Sequence, residues 1–370
     1  MSKVNMNDGV TINELRTLIP LVGSELTVVV QSEPGCGKSS LLHMIAEDMG
    51  DSWRKVGDDF ADDKYDYIYV DCPVKDMSDI GMTIPNHATQ TLEYYVSSLF
   101  KMGNGKPKVI MLDEFMKSPK LLQVLFTRLM LERTVGDEPL PEGSIVIGTS
   151  NNESDGVGDT MLSHAGNRVM RVRMTKPTVP EWLQWASAAG IARPIRAFVA
   201  MYPRVLKSYL DEGQDDNPYI FNPKKAVLSF ASPRSLAKCD VVVKNSDKMT
   251  ENTLTCALAG TIGASAAKDL ATFISLEKSV VDVKDIIKDP KGIKMPEDIA
   301  AQLMIMFQAL DVLDSQDDFS AFMEFVNRIE SEEVQSIFFT MSLNDKRLSR
   351  IASRNQQMKD WARDNSILLA

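Results

Sequence analysis

The sequence predicts an α/β fold in which a parallel sheet is covered on both faces by helices, followed by a half built from helices alone. Three observations predict it. Short apolar, β-branched runs recur at residues 26–31, 67–71, 109–112, 144–149 and 169–174, with helical stretches between several of them. Near-continuous apolar runs are what strands buried on both faces require. The alternation stops at the Pro-rich stretch 175–180, and beyond it only helical spacing remains. Finally, the 370 residues are 44% hydrophobic and 25% charged. That is an ordinary globular composition, long enough for two or three domains, or for one with sizeable appendages.

Each element has its own grounds. Residues 12–23 place Ile12, Leu15, Leu18, Ile19 and Val22 at helical intervals, with Asp8 and Thr11 as candidate caps. The run 26–31 reads as a buried strand, 32–40 as a turn-rich loop and 41–49 as a helix. Residues 51–66 carry Asp58, Asp59, Asp62 and Asp63 without the Gly-turn pattern of a calcium loop, so a solvated loop is expected. A strand at 67–71, a helix at 89–101, a strand at 109–112, a helix at 121–132 and strands at 144–149 and 169–174 follow. Further on, Trp182, Trp185 and Ala186 share a helix face, and 211–223 reads as a polar linker. Residues 235–276 hold many small side chains, among them Gly260, Gly263 and Ala264, which suit close helix packing. The last helices are expected at 296–314, 317–342 and 346–367. Met304, Ile305, Met306 and Phe307 read as core, and Lys346, Arg347, Arg350 and Arg354 as a solvated face.

Composition excludes several classes of function. Fifty-one acidic against 41 basic side chains leave a net charge of −10, which argues against a nucleic-acid-coating role. No apolar run approaches the ~20 residues of a membrane span, and residues 1–10 lack the apolar stretch of a secretory signal. Cys36, Cys72, Cys239 and Cys256 lie far apart without a C-x-x-C pair, so neither a zinc site nor a disulfide framework is expected and a reducing, cytoplasmic setting is. His43, His87 and His164 are isolated and read as structural or surface residues.

The strongest chemical signal is the loop Ser32, Glu33, Pro34, Gly35, Cys36, Gly37, Lys38, Ser39, Ser40. It follows a predicted strand and opens a predicted helix, the setting a phosphate-binding loop needs. Gly35 and Gly37 let backbone N–H groups curl around an anion, and the helix N-terminus adds its positive dipole end. Lys38 would reach the β- and γ-phosphates and Ser39 would ligate Mg²⁺. Ser32 stands where the usual motif has its first Gly, but the later glycines make the tight turn. Cys36 inside the loop reads as a small filler. The strand 109–112 runs into Asp113 and Glu114, placing two carboxylates at the sheet edge beside that loop. Asp113 suits the Mg²⁺ shell and Glu114 the polarisation of an attacking water. The strand 144–149 ends in Ser150, Asn151 and Asn152, and either Asn could orient that water or merely cap a turn. Two further segments carry a cation: 162–168, ending in Arg168, and 231–236, with Arg234 at a helix start.

Taken in order, these five segments resemble the AAA+ ATPases, and within them most closely the MoxR branch. The resemblance covers about residues 15–250. It rests on Glu33-Pro34-Gly35-x-Gly37-Lys38-Ser39, Asp113-Glu114-Phe115, the Leu125…Met130-x-Glu132-Arg133 helix, Thr149-Ser150-Asn151, the segment ending in Asn167-Arg168, and Ser232-Pro233-Arg234. It implies ATP and Mg²⁺ as cofactors, Asn151 as sensor 1 with Asn152 as the fallback, Arg168 as an arginine finger acting on a neighbour's nucleotide, and Arg234 as sensor 2. It further implies a P-loop αβα sandwich at 1–176, a helical lid at 177–270 and a helical C-terminal extension at 271–370. An insertion near the second helix would fall within residues 72–108, where 79–82 is a weak candidate for a pore-facing loop. A ring of identical subunits, most simply a hexamer, would act as a chaperone-like remodeller of a protein client. MoxR relatives often work with a von Willebrand factor A-domain protein; no Asp-x-Ser-x-Ser pattern occurs in this chain, so such a partner would be a separate protein. The rival expectations are a nucleotide-gated scaffold with little turnover and a nucleic-acid motor or loader.

Overall fold

Strand and helix alternate from the start. Helix α1 (Ile12–Val22) leads to β1 (Val28–Ser32) and α2 (Leu41–Asp48). After them come β2 (Asp66–Asp71), α3 (Met77–Ile80), β3 (Gly81–Asn86), β4 (Thr91–Val96), β5 (Lys108–Asp113) and α4 (Lys120–Glu132). The short pair β6 (Thr134–Val135) and β7 (Glu138–Pro139) precedes β8 (Ile145–Asn151) and β9 (Met170–Arg173). This computed structural model describes residues 9–49, 65–152, 167–225 and 227–364. The acidic segment expected as a loop therefore lies almost wholly outside the described residues, as do Asp8, residues 162–166 and the end of the last expected helix. The chain divides into two units, Met1–Lys176 and Pro177–Ala370.

In the first unit five strands form one sheet in the order β2-β5-β8-β1-β9, and every pairing is parallel. Period-2 alternation explains why helices cover both faces. Val28, Val30, Val109, Met111, Ile145 and Ile147 pack with Leu15 and Ile19 of α1 and Leu41, Leu42 and Ile45 of α2. The intervening Val29, Ile68, Val70, Ile110, Leu112 and Val146 pack with Leu122, Phe126, Leu129 and Met130 of α4. Thr11 caps α1 in a reciprocal capping box with Glu14. Arg16 of α1 grips Asp48 of α2 through two bonds of 2.7 and 2.6 Å.

One expected element is corrected. Residues 89–101 do not form a helix: β3 and β4 pair as an antiparallel hairpin across 81–96, and a 3-10 turn spans Ser98–Phe100. Apolar residues at 92, 95, 96, 99 and 100 fit a helical spacing, but Thr91, Tyr94, Tyr95 and Val96 are strand formers. The turn is set by Asn86, whose Oδ1 accepts from the N–H of Ala88 (3.0 Å) and Thr89 (3.3 Å). The segment 79–82 is accordingly the end of α3 and the start of β3, with Met82 opposite Tyr95. Both are 52% exposed.

At the opposite edge of the sheet from the strand ends, Lys108 is fully buried. Its ammonium donates to Asp66 Oδ2 at 2.6 Å and to Asn104 Oδ1, and Asn104 Nδ2 donates to Asp66 Oδ2 at 2.6 Å. Burial alone would raise the Asp66 carboxyl, but Lys108 and Asn104 override it and hold the group below its ordinary value. Asp66→Ala is expected to cost the first unit about 3–5 kcal/mol at pH 7, because it strands a buried charge. A carboxyl whose folded pKa is depressed contributes fully above its unfolded value near pH 4 and loses that contribution as acid carries the pH through the folded pKa. Denaturation at several pH values should therefore show the gap between native and variant narrowing on acidification; a gap that widens contradicts the assignment.

The second unit is helical throughout its regular structure. It comprises α5 (Val179–Ala188), α6 (Arg193–Met201), α7 (Pro233–Lys244), α8 (Glu251–Ile262), α9 (Ala264–Glu277) and α10 (Val283–Lys288). After these come α11 (Ile299–Val312), α12 (Gln316–Val326), α13 (Glu332–Asn344), α14 (Ser349–Ala352) and α15 (Gln356–Asp364). Met304, Ile305, Met306 and Phe307 are all buried, so one full turn of α11 is enclosed on every side. One apolar cluster extends from Trp182 to Met358. The position expected to separate a lid from a C-terminal extension, about 271, falls inside α9. Trp182 and Ala186 face this core, whereas Trp185 is exposed. The segment 211–223 is a packed loop more than a linker: Asn217 and Asn222 are buried and donate to the carbonyls of Arg204 and Asp215. The expected helix at 317–342 is two helices, broken where Ser331 caps α13. The one expected at 346–367 is also broken, and Arg347 does not lie on a solvated face: its guanidinium donates to the carbonyls of Leu310 and Leu313, capping the end of α11.

Candidate active site

Parallel order brings the chemical residues to one end of the sheet. β1 lies between β8 and β9, and Ser32 is in register with Asn151. The chain then turns through Gly35 (φ 81°) and Gly37 (φ 98°), conformations that glycine adopts without strain. A Cβ placed on Gly37 would meet nothing within 4 Å, so open space lies against the loop there. A 3-10 turn at Lys38–Ser40 runs directly into α2.

Lys38 is buried at 5% exposure. Its ammonium donates to the carbonyl of Ser32 (3.0 Å), Ser32 Oγ (3.0 Å), the carbonyl of Glu33 (3.3 Å) and Asn151 Oδ1 (3.1 Å). An ammonium has three protons, so these acceptors share them. Exchanging them for the oxygens of a polyphosphate would leave the charge satisfied. Of the two candidate asparagines, Asn151 bonds to Lys38, and Asn152 is also buried.

Asp113 closes β5 and is equally buried. Three hydroxyls hold it. Ser39 Oγ donates to Oδ2 at 3.0 Å, Tyr69 Oη donates to the same oxygen at 2.5 Å, and Thr149 Oγ1 donates to Oδ1. Thr149 also accepts from the N–H of Glu114 at 3.0 Å, so one buried hydroxyl ties both acidic residues to β8. Burial, and then the hydrogen bond to Asp113, push the Tyr69 phenol well above its ordinary value, which keeps it a donor. Glu114 takes a left-handed φ of 50° and pairs with Lys117 at 2.8 Å, with both side chains about one-third exposed. Adjacent carboxylates thus sit in different settings: one locked among hydroxyls, one open to water.

A hydroxyl beside a carboxylate is a hard-oxygen donor set, suited to an ion such as Mg²⁺ that is otherwise held by water and substrate phosphates. Among the described residues no group of three His, Cys, Asp or Glu could hold a metal by itself. Cys36 is buried, and its thiol is pushed up to about 11, chiefly by burial. It stays neutral at physiological pH and fills space.

The remaining expected residues are placed as follows. Glu33 is buried and paired with Lys176 at 2.9 Å. Pro34 is half-buried and Ser40 exposed. Arg168 is exposed in the turn that enters β9. Arg234 is exposed in the first turn of α7, in the second unit, where Ser232 is the N-cap and Pro233 precedes it. Sequence reasoning missed Tyr69, Lys117, Lys176 and the bridging role of Thr149. The signal for Tyr69 was its place two residues before the end of a strand, which matters only once β2 is known to neighbour β5.

No protein-family model matches the sequence, and no curated protein matches it. Among solved structures, the chain is similar to the RuvB Holliday junction branch migration motor of Thermotoga maritima, at 14% identity over 87% of this chain and 89% of that one, with a TM-score of 0.34. It is also similar to NtrX of Brucella abortus in complex with ATP, at 13% identity over 97% of this chain and 68% of that one, with a TM-score of 0.36. Likenesses this distant carry no argument about activity. Sheet order, loop geometry and helical content together give the conclusion: the chain has a P-loop αβα fold followed by a helical C-terminal part.

Proposed function

We propose that this chain is an ATP-hydrolysing AAA+ ATPase of MoxR type that assembles into a ring, most simply a hexamer, and remodels a protein partner. The observation that carries the reading is the meeting of Lys38, Ser39, Asp113 and Asn151 at the C-terminal edge of the parallel sheet, with Glu114 beside them. Lys38 binds the β- and γ-phosphates, Asn151 orients the attacking water, and Glu114 takes its proton. Ser39 and Asp113 hold Mg²⁺, which neutralises charge on the phosphates when bound. Arg168 is exposed, as a residue serving a neighbouring subunit must be, and supplies the transition-state charge across that boundary. Arg234 acts from the helical part. Met82 and Tyr95 on the exposed hairpin suit contact with a protein client better than with nucleic acid, in keeping with the charge of −10.

The test is turnover of Arg168→Ala alone and mixed with Lys38→Ala. Arg168→Ala is expected to bind nucleotide normally and lose about 10³-fold or more in turnover, the worth of an arginine finger. Mixed subunits should recover part of it, and solution mass should rise when ATP is added. Full activity of Arg168→Ala, or a mass that stays monomeric with ATP, overturns the ring.

A further inference from the structure

Glu33 and Lys176 form an ion pair of 2.9 Å with each side chain only 4% exposed. Pairing two charges away from water is a weak route to stability, because desolvation offsets most of the attraction, so this pair needs another reason to exist. Its position supplies one. Glu33 is the second residue of the phosphate loop, and its carbonyl already accepts from Lys38. Lys176 is the last residue of the first unit.

The backbone between them is fixed on two sides. The N–H of Met174 donates to the carbonyl of Gln31 at 2.8 Å, just before the loop begins, and Thr175 N–H donates to the carbonyl of Val10 at 2.9 Å. Val10 N–H returns a bond of 2.8 Å to Arg173. Main-chain pairing therefore brings residue 176 alongside the loop, and the ion pair closes the remaining gap. The buried Cys36 thiol feels both charges, Lys176 lowering its pKa and Glu33 raising it, so both lie close to the middle of the loop. None of the other described contacts on Lys38 or Asp113 involves Lys176.

We infer that Lys176 is a positioning residue for nucleotide binding: through Glu33 it holds the phosphate loop in the shape that receives a nucleoside triphosphate, and it ties that shape to the segment leading out of the first unit. The inference rests on the nucleotide-binding reading above and deepens it. It makes Glu33 a structural anchor whose carboxylate never needs to touch phosphate.

The test measures Mg·ATP affinity by calorimetry in the full chain for wild type, Glu33→Gln, Lys176→Met and the double variant. Each is measured well below its own Tm so that only folded protein is read. Each single change should weaken affinity about tenfold, and the double change no more than either single, because the two residues act as one unit. Two results overturn the proposal: single variants with lowered Tm but unchanged affinity, which is what a merely structural pair would give, or single effects that multiply in the double variant. Absence of binding in wild type would instead overturn the nucleotide-binding reading itself, so the two failures are distinct.

Discussion

Lys38→Ala is expected to weaken Mg·ATP binding by at least about 30-fold while the protein remains folded. The ammonium is buried and held by acceptors that include oxygens of Ser32, Glu33 and Asn151. A polyphosphate would take over those bonds as charge-assisted ones, the stronger class. Removing one partner of a buried charged contact costs about 2 kcal/mol or more, which is the fold-change stated. Displacement of a fluorescent nucleotide reads it directly. The variant also leaves Ser32 Oγ and Asn151 Oδ1 short of a donor, so a modest fall in Tm should accompany the loss. Affinity equal to wild type would mean that the phosphates bind elsewhere.

Glu114→Gln is expected to bind Mg·ATP as tightly as wild type and to hydrolyse it about 10²–10⁴ times more slowly, the range for loss of a general base. The two properties separate because Glu114 is tethered through its backbone N–H to Thr149, its carbonyl to the Lys117 N–H and its carboxylate to the Lys117 ammonium. It shares no bond with Lys38 or Ser39 in the described contacts, so the amide leaves the cradle intact and removes only the proton acceptor. Equal, slow turnover in both proteins would favour a nucleotide-gated scaffold over a motor. Stimulation of the native protein by DNA would favour a nucleic-acid motor.

Much of this site could be read from the sequence because its chemistry is local. Gly35, Gly37, Lys38 and Ser39 sit in one loop, and Asp113 and Glu114 at one strand end, so strand, turn and helix signals sufficed. The sheet was legible for a similar reason: Val28, Val29 and Val30, or Val109 to Leu112, are apolar at every position, as only a strand covered on both sides needs to be. What escaped depends on which strands become neighbours. Tyr69 matters because β2 lies beside β5, and Lys176 because β9 lies beside β1. Neither adjacency is written in the spacing of residues along the chain. The hairpin at 81–96 was missed because its apolar residues satisfy two periods at once, and Asn86 and the β-formers around Tyr94 decided between them. Arg347 was misread because a cation looks solvated until the carbonyls it caps, those of Leu310 and Leu313, are in view.

The claim on which the whole account stands is that the loop from Glu33 to Ser40, facing Asp113, grips a nucleoside triphosphate. Titration calorimetry of the native, folded chain with ATP and Mg²⁺ tests it most directly. The account predicts saturable heat at one site per chain, lost in Lys38→Ala. No heat with native protein, or the same heat from both proteins, would contradict it.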